Sequence, residues 1–297
     1  MAMKLEPAEY RDEVAVADGG WSTILRERLH PLRDLPEGLC LRQPEAVQSL
    51  TREYVQAGAR FITTNSFALN RLALQARGAR EDVRALNREA ARLARQAVRN
   101  SPVHVVGSMS STGRILGVRE AADSDVADAL TEQARALAEG GVDAIVLETF
   151  FELAEAVLAV RVVKDAVRLP VIASMSFDSG PQRTRTLMGA EAGECAARLT
   201  EAGADMVGCN CGAGASEALP AVVAIRAATD RPLWVKPNVG LPLLEEGRPV
   251  YRESPEDFLA AMRPLIDAGA NIVGGCCGAG PEHIRRLAAW VAAHRRD

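Results

Sequence analysis

Four segments of this chain repeat one pattern: Gln56-Ala57-Gly58-Ala59, Glu139-Gly140-Gly141-Val142, Glu201-Ala202-Gly203-Ala204 and Asp267-Ala268-Gly269-Ala270. In each, a helix-like stretch closes on a glycine and an apolar strand-like run follows at once, as in repeated helix-to-strand units. Strand-like runs stand at 14–17, 61–64, 103–106, 144–147, 171–175, 206–207, 233–235 and 272–273. Helical periodicity fills the intervals at about 44–57, 81–99, 152–167, 190–202, 215–229, 255–268 and 281–295. A further helix follows Asp123-Ser124-Asp125, where Val126, Leu130, Ala134, Leu137 and Ala138 share one face. Eight strands alternating with helices predict an α/β fold, a (β/α)8 TIM barrel. No Pro/Ser/Gly-rich tract or charge block divides the chain, so one domain is expected over 1–297. Loops over one face are expected at 30–43, 108–122, 178–190 and 239–253.

The repeat also sets a register. Seven residues beyond Gly58, Gly141, Gly203 and Gly269 stand Asn65, Glu148, Asn210 and Cys276, and one further stand Ser66, Thr149, Cys211 and Cys277. Polar and thiol residues therefore fall at equivalent places, the C-terminal strand ends, where barrels of this type carry their active sites. Repeated α/β architecture explains the glycines but not the Asn, Glu and Cys that follow them.

Cys276 and Cys277 lie together between glycines in Gly274-Gly275-Cys276-Cys277-Gly278, and Cys211 follows the sixth strand-like run in Gly208-Cys209-Asn210-Cys211. Packing explains a vicinal pair in such a setting poorly. Three thiolates converging from the sixth and eighth strands make a soft, tetrahedral site that suits Zn2+ and leaves one position open. A zinc held by three thiolates generates hydroxide poorly but lowers the pKa of an incoming thiol, which favours alkyl transfer to sulfur over hydrolysis. Cys40, Cys195 and Cys209 read as packed free thiols, and the four histidines as non-ligands.

Asp18-Gly19-Gly20 follows the first strand. Its carboxylate suits a substrate ammonium and its glycines allow backbone N–H groups to approach a carboxylate, although a turn or helix cap accounts for the segment equally well. Glu148, a second acid at a strand end, is costly to bury without a cationic partner, and the two acids together suggest an amino-acid substrate. Asn65 and Asn238 sit on the same rim as candidates to bind substrate or orient ligands, with turn-stabilising roles as the alternative.

Composition bounds the class. A chain that is 48% apolar with 4% aromatics predicts a mainly aliphatic core, which suits helices packed on a parallel sheet. A formal net charge of −4 argues against a nucleic-acid partner. The chain shows no signal peptide and no long apolar run, so a cytoplasmic protein with no membrane association is expected. In that compartment clustered cysteines point to metal or redox chemistry.

The chain resembles the zinc-dependent homocysteine S-methyltransferases, a family that includes betaine–homocysteine methyltransferases and the homocysteine-binding module of cobalamin-dependent methionine synthases. The resemblance rests on Asp18-Gly19-Gly20, Thr64-Asn65-Ser66-Phe67 with Asn70-Arg71, Glu148-Thr149, Gly208-Cys209-Asn210-Cys211, Pro237-Asn238 with Gly240, and the Gly-Gly-Cys-Cys-Gly segment. It implies zinc on Cys211, Cys276 and Cys277, and homocysteine held through its amino and carboxyl groups by the Asp18 loop and Glu148. No catalytic residue is expected beyond the zinc-activated substrate thiol. The chain departs from the pattern at Trp21-Ser22, at Ser108-Met109-Ser110-Ser111-Thr112-Gly113 and at Glu152. The expected activity is methyl transfer to homocysteine, giving methionine, from a small donor such as S-methylmethionine, S-adenosylmethionine or a betaine. The alternatives are a separate methylcorrinoid protein as donor, another acceptor thiol, or a non-enzymatic zinc-binding or redox-switch barrel.

Overall fold

In the computed structural model, which describes residues 5–32, 35–79, 81–116, 122–245 and 248–294, each strand-like run becomes a strand. In chain order the strands are β1 (Ala15–Val16), β2 (Phe61–Thr63), β3 (His104–Met109), β4 (Ala144–Phe150), β5 (Val171–Met175), β6 (Met206–Cys211), β7 (Leu233–Pro237), β8 (Leu243–Glu245), β9 (Arg248–Val250) and β10 (Ile272–Val273). All but β8 and β9 form one parallel sheet in the order β1-β10-β7-β6-β5-β4-β3-β2. The first and last strands of that order meet through Ala17 and Phe61. There the Arg60 N–H donates to Val16 O at 2.7 Å and the Asp18 N–H to Phe61 O at 2.9 Å, which closes the barrel. It is a single-domain (β/α)8 barrel, and among the described residues no helix is long and apolar enough to cross a membrane.

The helices are α1 (Ser22–Arg28), α2 (Leu39–Arg42), α3 (Pro44–Gln56), α4 (Arg71–Ala76), α5 (Val83–Ala97), α6 (Asp123–Glu139), α7 (Leu153–Ala166), α8 (Ala192–Glu201), α9 (Ala215–Ala228), α10 (Pro255–Asp267) and α11 (Pro281–Ala293). Periodicity located eight of them; α1, α2 and α4 are too short for a periodic signal. The repeat glycines 58, 141, 203 and 269 have φ between +94° and +103°, a conformation that strains any side chain. Of the expected loops, 239–253 instead carries the antiparallel hairpin of β8 and β9, and residues 33–34, 117–121 and 246–247 lie outside the described set.

Two cores flank the barrel wall. Outward strand residues pack under the helices. Inward ones, Ala15, Ala17, Phe61, Val106, Ala144, Val146, Ile172, Met206, Trp234 and Ile272, fill the lower interior above Leu5 and Tyr10. Strand side chains alternate, so the next inward positions lie two residues further along each strand. There the lining turns polar: Thr63, Ser108, Glu148, Ser174 and Lys236 follow Phe61, Val106, Val146, Ile172 and Trp234, and Asn210 lies on the same face of β6 as Met206. These buried polar groups form the floor beneath the C-terminal mouth.

Candidate metal centre

The sulfurs of Cys211, Cys276 and Cys277 lie within 4.8 Å of one another, the metal-competent group found among the described residues, and no histidine joins it. Cys211 ends β6 in register with Pro237 of β7. The loop after β10 is pinned to the same strand, the Cys276 N–H donating to Pro237 O at 2.8 Å. Asn238 completes the fastening: its Oδ1 accepts the Cys277 N–H at 2.9 Å and its Nδ2 donates to Gly212 O at 2.7 Å. Asn238 thus orients the cysteines through their backbone. A side chain at Gly278 would collide with the ring of Tyr251, so the tyrosine closes directly over the cysteine turn.

The donor set fits zinc: three soft sulfurs, each partly exposed and close enough to share one ion. Cys211 Sγ stands 2.9 Å from Cys276 Sγ. Hydrogen bonds to Cys276 and Cys277 push the Cys211 thiol up, whereas Cys277, accepting from Cys211 and Cys276, is pushed down. Cys40, Cys195 and Cys209 differ: burial raises each to about 12, as inert core thiols require.

The two acids differ in their partners. Asp18 is fully buried and its oxygens are taken. Oδ1 pairs with Lys236 Nζ at 2.5 Å. Oδ2 accepts from Trp21 Nε1 at 2.9 Å and from the Thr63 N–H and Oγ1 at 2.8 Å each. In this structure the protein itself supplies a cation to Asp18, and Trp21 adds a donor to the same carboxylate. Glu148 accepts from Ser108 Oγ on Oε1 at 2.5 Å, and its Oε2 has no donor among the described residues. Burial pushes Glu148 up to about 7 against the opposing pull of Lys236. Burial alone would depress the Lys236 ammonium, but Asp18 and Glu148 outweigh it and its pKa is raised.

The Asp18 loop glycines serve packing. The Gly20 N–H is spent on Ala279 O at 2.8 Å, and a Cβ on Gly20 would lie 2.5 Å from Cys276 O. Gly19 likewise faces Ala279 and Tyr54 too closely for any side chain. Gly20 therefore offers no amide to a substrate carboxylate; both glycines let the β1 loop seat against the cysteine turn. Asn65 points its Nδ2 at Pro36 O, 2.8 Å away, and at Cys40, which places it in loop packing rather than at the metal centre. The 108–113 turn is tied to α7 by Glu155, which accepts from Ser111 Oγ at 2.5 Å and from the Thr112 N–H at 2.7 Å.

Lys236, Asn210, Thr149 and Tyr251 complete the centre; the repeat register put Asn210 and Thr149 at the strand ends without giving them a role, and Lys236 and Tyr251 were not singled out from sequence. The two-residue alternation was the available signal for Lys236 and Asn210, each of which shares the inward face of its strand with a barrel-filling residue. Tyr251 lies in an irregular loop and had no such signal.

The model of the homocysteine S-methyltransferase family matches residues 15–291. The chain belongs to the homocysteine S-methyltransferase family. Among relatives, a methionine synthase from Mycobacterium leprae is 31% identical over 94% of this chain, which spans only 24% of that protein. Betaine–homocysteine S-methyltransferase 1 of Danio rerio is 29% identical over 95% of this chain and 74% of its own length. In fold, the metallated form of the Escherichia coli homocysteine methyltransferase MmuM superposes with a TM-score of 0.78 at 22% identity, covering 94% of this chain and 96% of its own. This chain spans about a quarter of the length of the methionine synthases it matches.

Proposed function

We propose that this chain methylates the thiol of homocysteine to give methionine, with zinc held by Cys211, Cys276 and Cys277. The observation that carries the reading is the three-thiol cluster, partly exposed at the mouth of the barrel beside the half-free carboxylate of Glu148. When bound, zinc supplies a Lewis acid that keeps a substrate thiol ionised at neutral pH. The chain does the rest by placement. Glu148 Oε2 takes the substrate ammonium, and Asn238 and the cysteine turn fix the sulfurs. The buried Asp18–Lys236 pair holds the floor rigid without competing for that ammonium. No protein base is needed, because the thiol proton is already lost on binding.

Space for a small donor borders the cysteine turn. A cavity of about 640 Å3 opens beside Tyr251 and Gly278, with Thr23, Arg26, His30 and Pro249 among its walls. That volume is of drug-sized-ligand scale. Incubating the zinc-loaded protein and homocysteine with S-methylmethionine, S-adenosylmethionine, glycine betaine or methylcobalamin, and quantifying methionine by mass spectrometry, tests this directly. Turnover is expected with one of the small donors. Methionine formed only from methylcobalamin would move the donor to a corrinoid protein, and none from any donor would remove the activity.

A further inference from the structure

Two residues at the centre hold backbone conformations that non-glycine residues seldom adopt. Thr149, just past Glu148 on β4, has φ +61°, and Cys211, at the end of β6, has φ +60°. For a β-branched residue this is a true outlier and persists only where neighbours impose it. Asn210 is the neighbour. Its Oδ1 accepts the Thr149 backbone N–H at 2.8 Å and Ser174 Oγ at 2.7 Å. A backbone N–H can only donate, so the amide's orientation is fixed, and Nδ2 faces Thr149 Oγ1 at 2.5 Å and Cys276 Sγ at 4.0 Å. Because the Thr149 hydroxyl accepts from Nδ2, its own proton remains to be donated. Cys211 Sγ lies within its reach at 3.8 Å.

We propose that Thr149 and Asn210 act as one positioning unit that donates hydrogen bonds to the sulfurs of Cys211 and Cys276, so that the methyl group goes to the substrate thiolate and not to a ligand. This rests on the zinc reading above. A thiolate that accepts a hydrogen bond has less electron density to offer an electrophile, and partners that touch ligand atoms govern how firmly a metal is held. The substrate sulfur, at the open side of the cluster, has no such donor from this unit. Misdirected transfer would form an S–CH3 bond on Cys211 while the donor keeps the electron pair of its broken C–S or C–N bond. The ligand would become a neutral thioether and the metal would be lost.

The test uses the zinc-loaded full chain as parent, Thr149→Val and Thr149→Ser. Each is exposed to methyl iodide without acceptor thiol, followed by peptide mapping of Cys211 methylation, and in parallel zinc loss to a chromophoric chelator is timed. Valine keeps the shape and removes the hydroxyl; serine restores the hydroxyl. Thr149→Val is expected to raise both the Cys211 methylation rate and the zinc loss rate about tenfold, with Thr149→Ser close to parent. Val indistinguishable from parent, or Ser as impaired as Val, would overturn the proposal. Zinc content of the untreated parent is read first, and a parent without stoichiometric zinc would overturn the metal reading beneath it.

Discussion

Asp18 and Glu148 begin as twins: each is a carboxylate at the C-terminal end of a barrel strand, and each is buried. They end as opposites. Asp18 meets an internal ammonium and three further donors, so its charge is balanced by the chain. Glu148 meets one hydroxyl and keeps an oxygen free, and burial raises its pKa to about 7, so that it is about half ionised at that pH. A buried acid is thus read by what satisfies it: one satisfied internally braces the fold, and one left half-satisfied at the mouth is available to a ligand.

The largest expected effect lies on the braced side. Asp18→Ala strands the Lys236 ammonium, 3% exposed, and should cost about 3–5 kcal/mol of stability, read as a fall in denaturation midpoint. The double change Asp18→Ala with Lys236→Met should recover much of it. Unchanged stability with a raised KM for homocysteine would return Asp18 to the ligand site and break the comparison.

Glu148→Gln should do the reverse. Loss of a charged contact to the ammonium is worth about 2–3 kcal/mol, a rise in KM of roughly 30- to 150-fold, with stability not lowered at neutral pH because Gln removes a carboxylate that burial disfavours. The variant should also cease to discriminate homocysteine from its des-amino analogue 4-mercaptobutanoate. Retained discrimination would place the ammonium elsewhere.

The raised Glu148 pKa carries a pH signature. An acid whose folded pKa lies above its unfolded value favours folding most below the unfolded pKa, and that contribution fades as pH rises through about 7. Ligand affinity runs the other way, since the ammonium needs the ionised form. Inhibition by methionine, which has no thiol to ionise, should tighten as pH rises through about 7 in the parent and stay flat in Glu148→Gln. The smallest effect belongs to Ser108→Ala: Ser108 lowers Glu148 through its hydrogen bond, so its removal should move this profile to higher pH and weaken methionine by about 1 kcal/mol. A shift to lower pH would contradict the assigned cause.

The barrel was legible because the helix-closing glycines and the apolar runs agree, and each repeat glycine takes the backbone conformation that only glycine takes freely. The hairpin of β8 and β9 was not: Leu243 and Leu244 face solvent, so no alternation marks it. At the site the cysteines were legible from their spacing. The pairing of Asp18 with Lys236 was not, because the two lie on different strands 218 positions apart. β6 was also underestimated: Gly208, Cys209 and Asn210 are poor strand formers, and pairing with β7 as far as Cys211 overrides that local preference.

The central claim, that three cysteines hold a zinc with one position kept for the substrate's sulfur, is tested most directly by zinc-edge X-ray absorption of the zinc-loaded protein with and without homocysteine. The account predicts a rise from three sulfur neighbours to four when the thiol is added. An unchanged sulfur shell would contradict it.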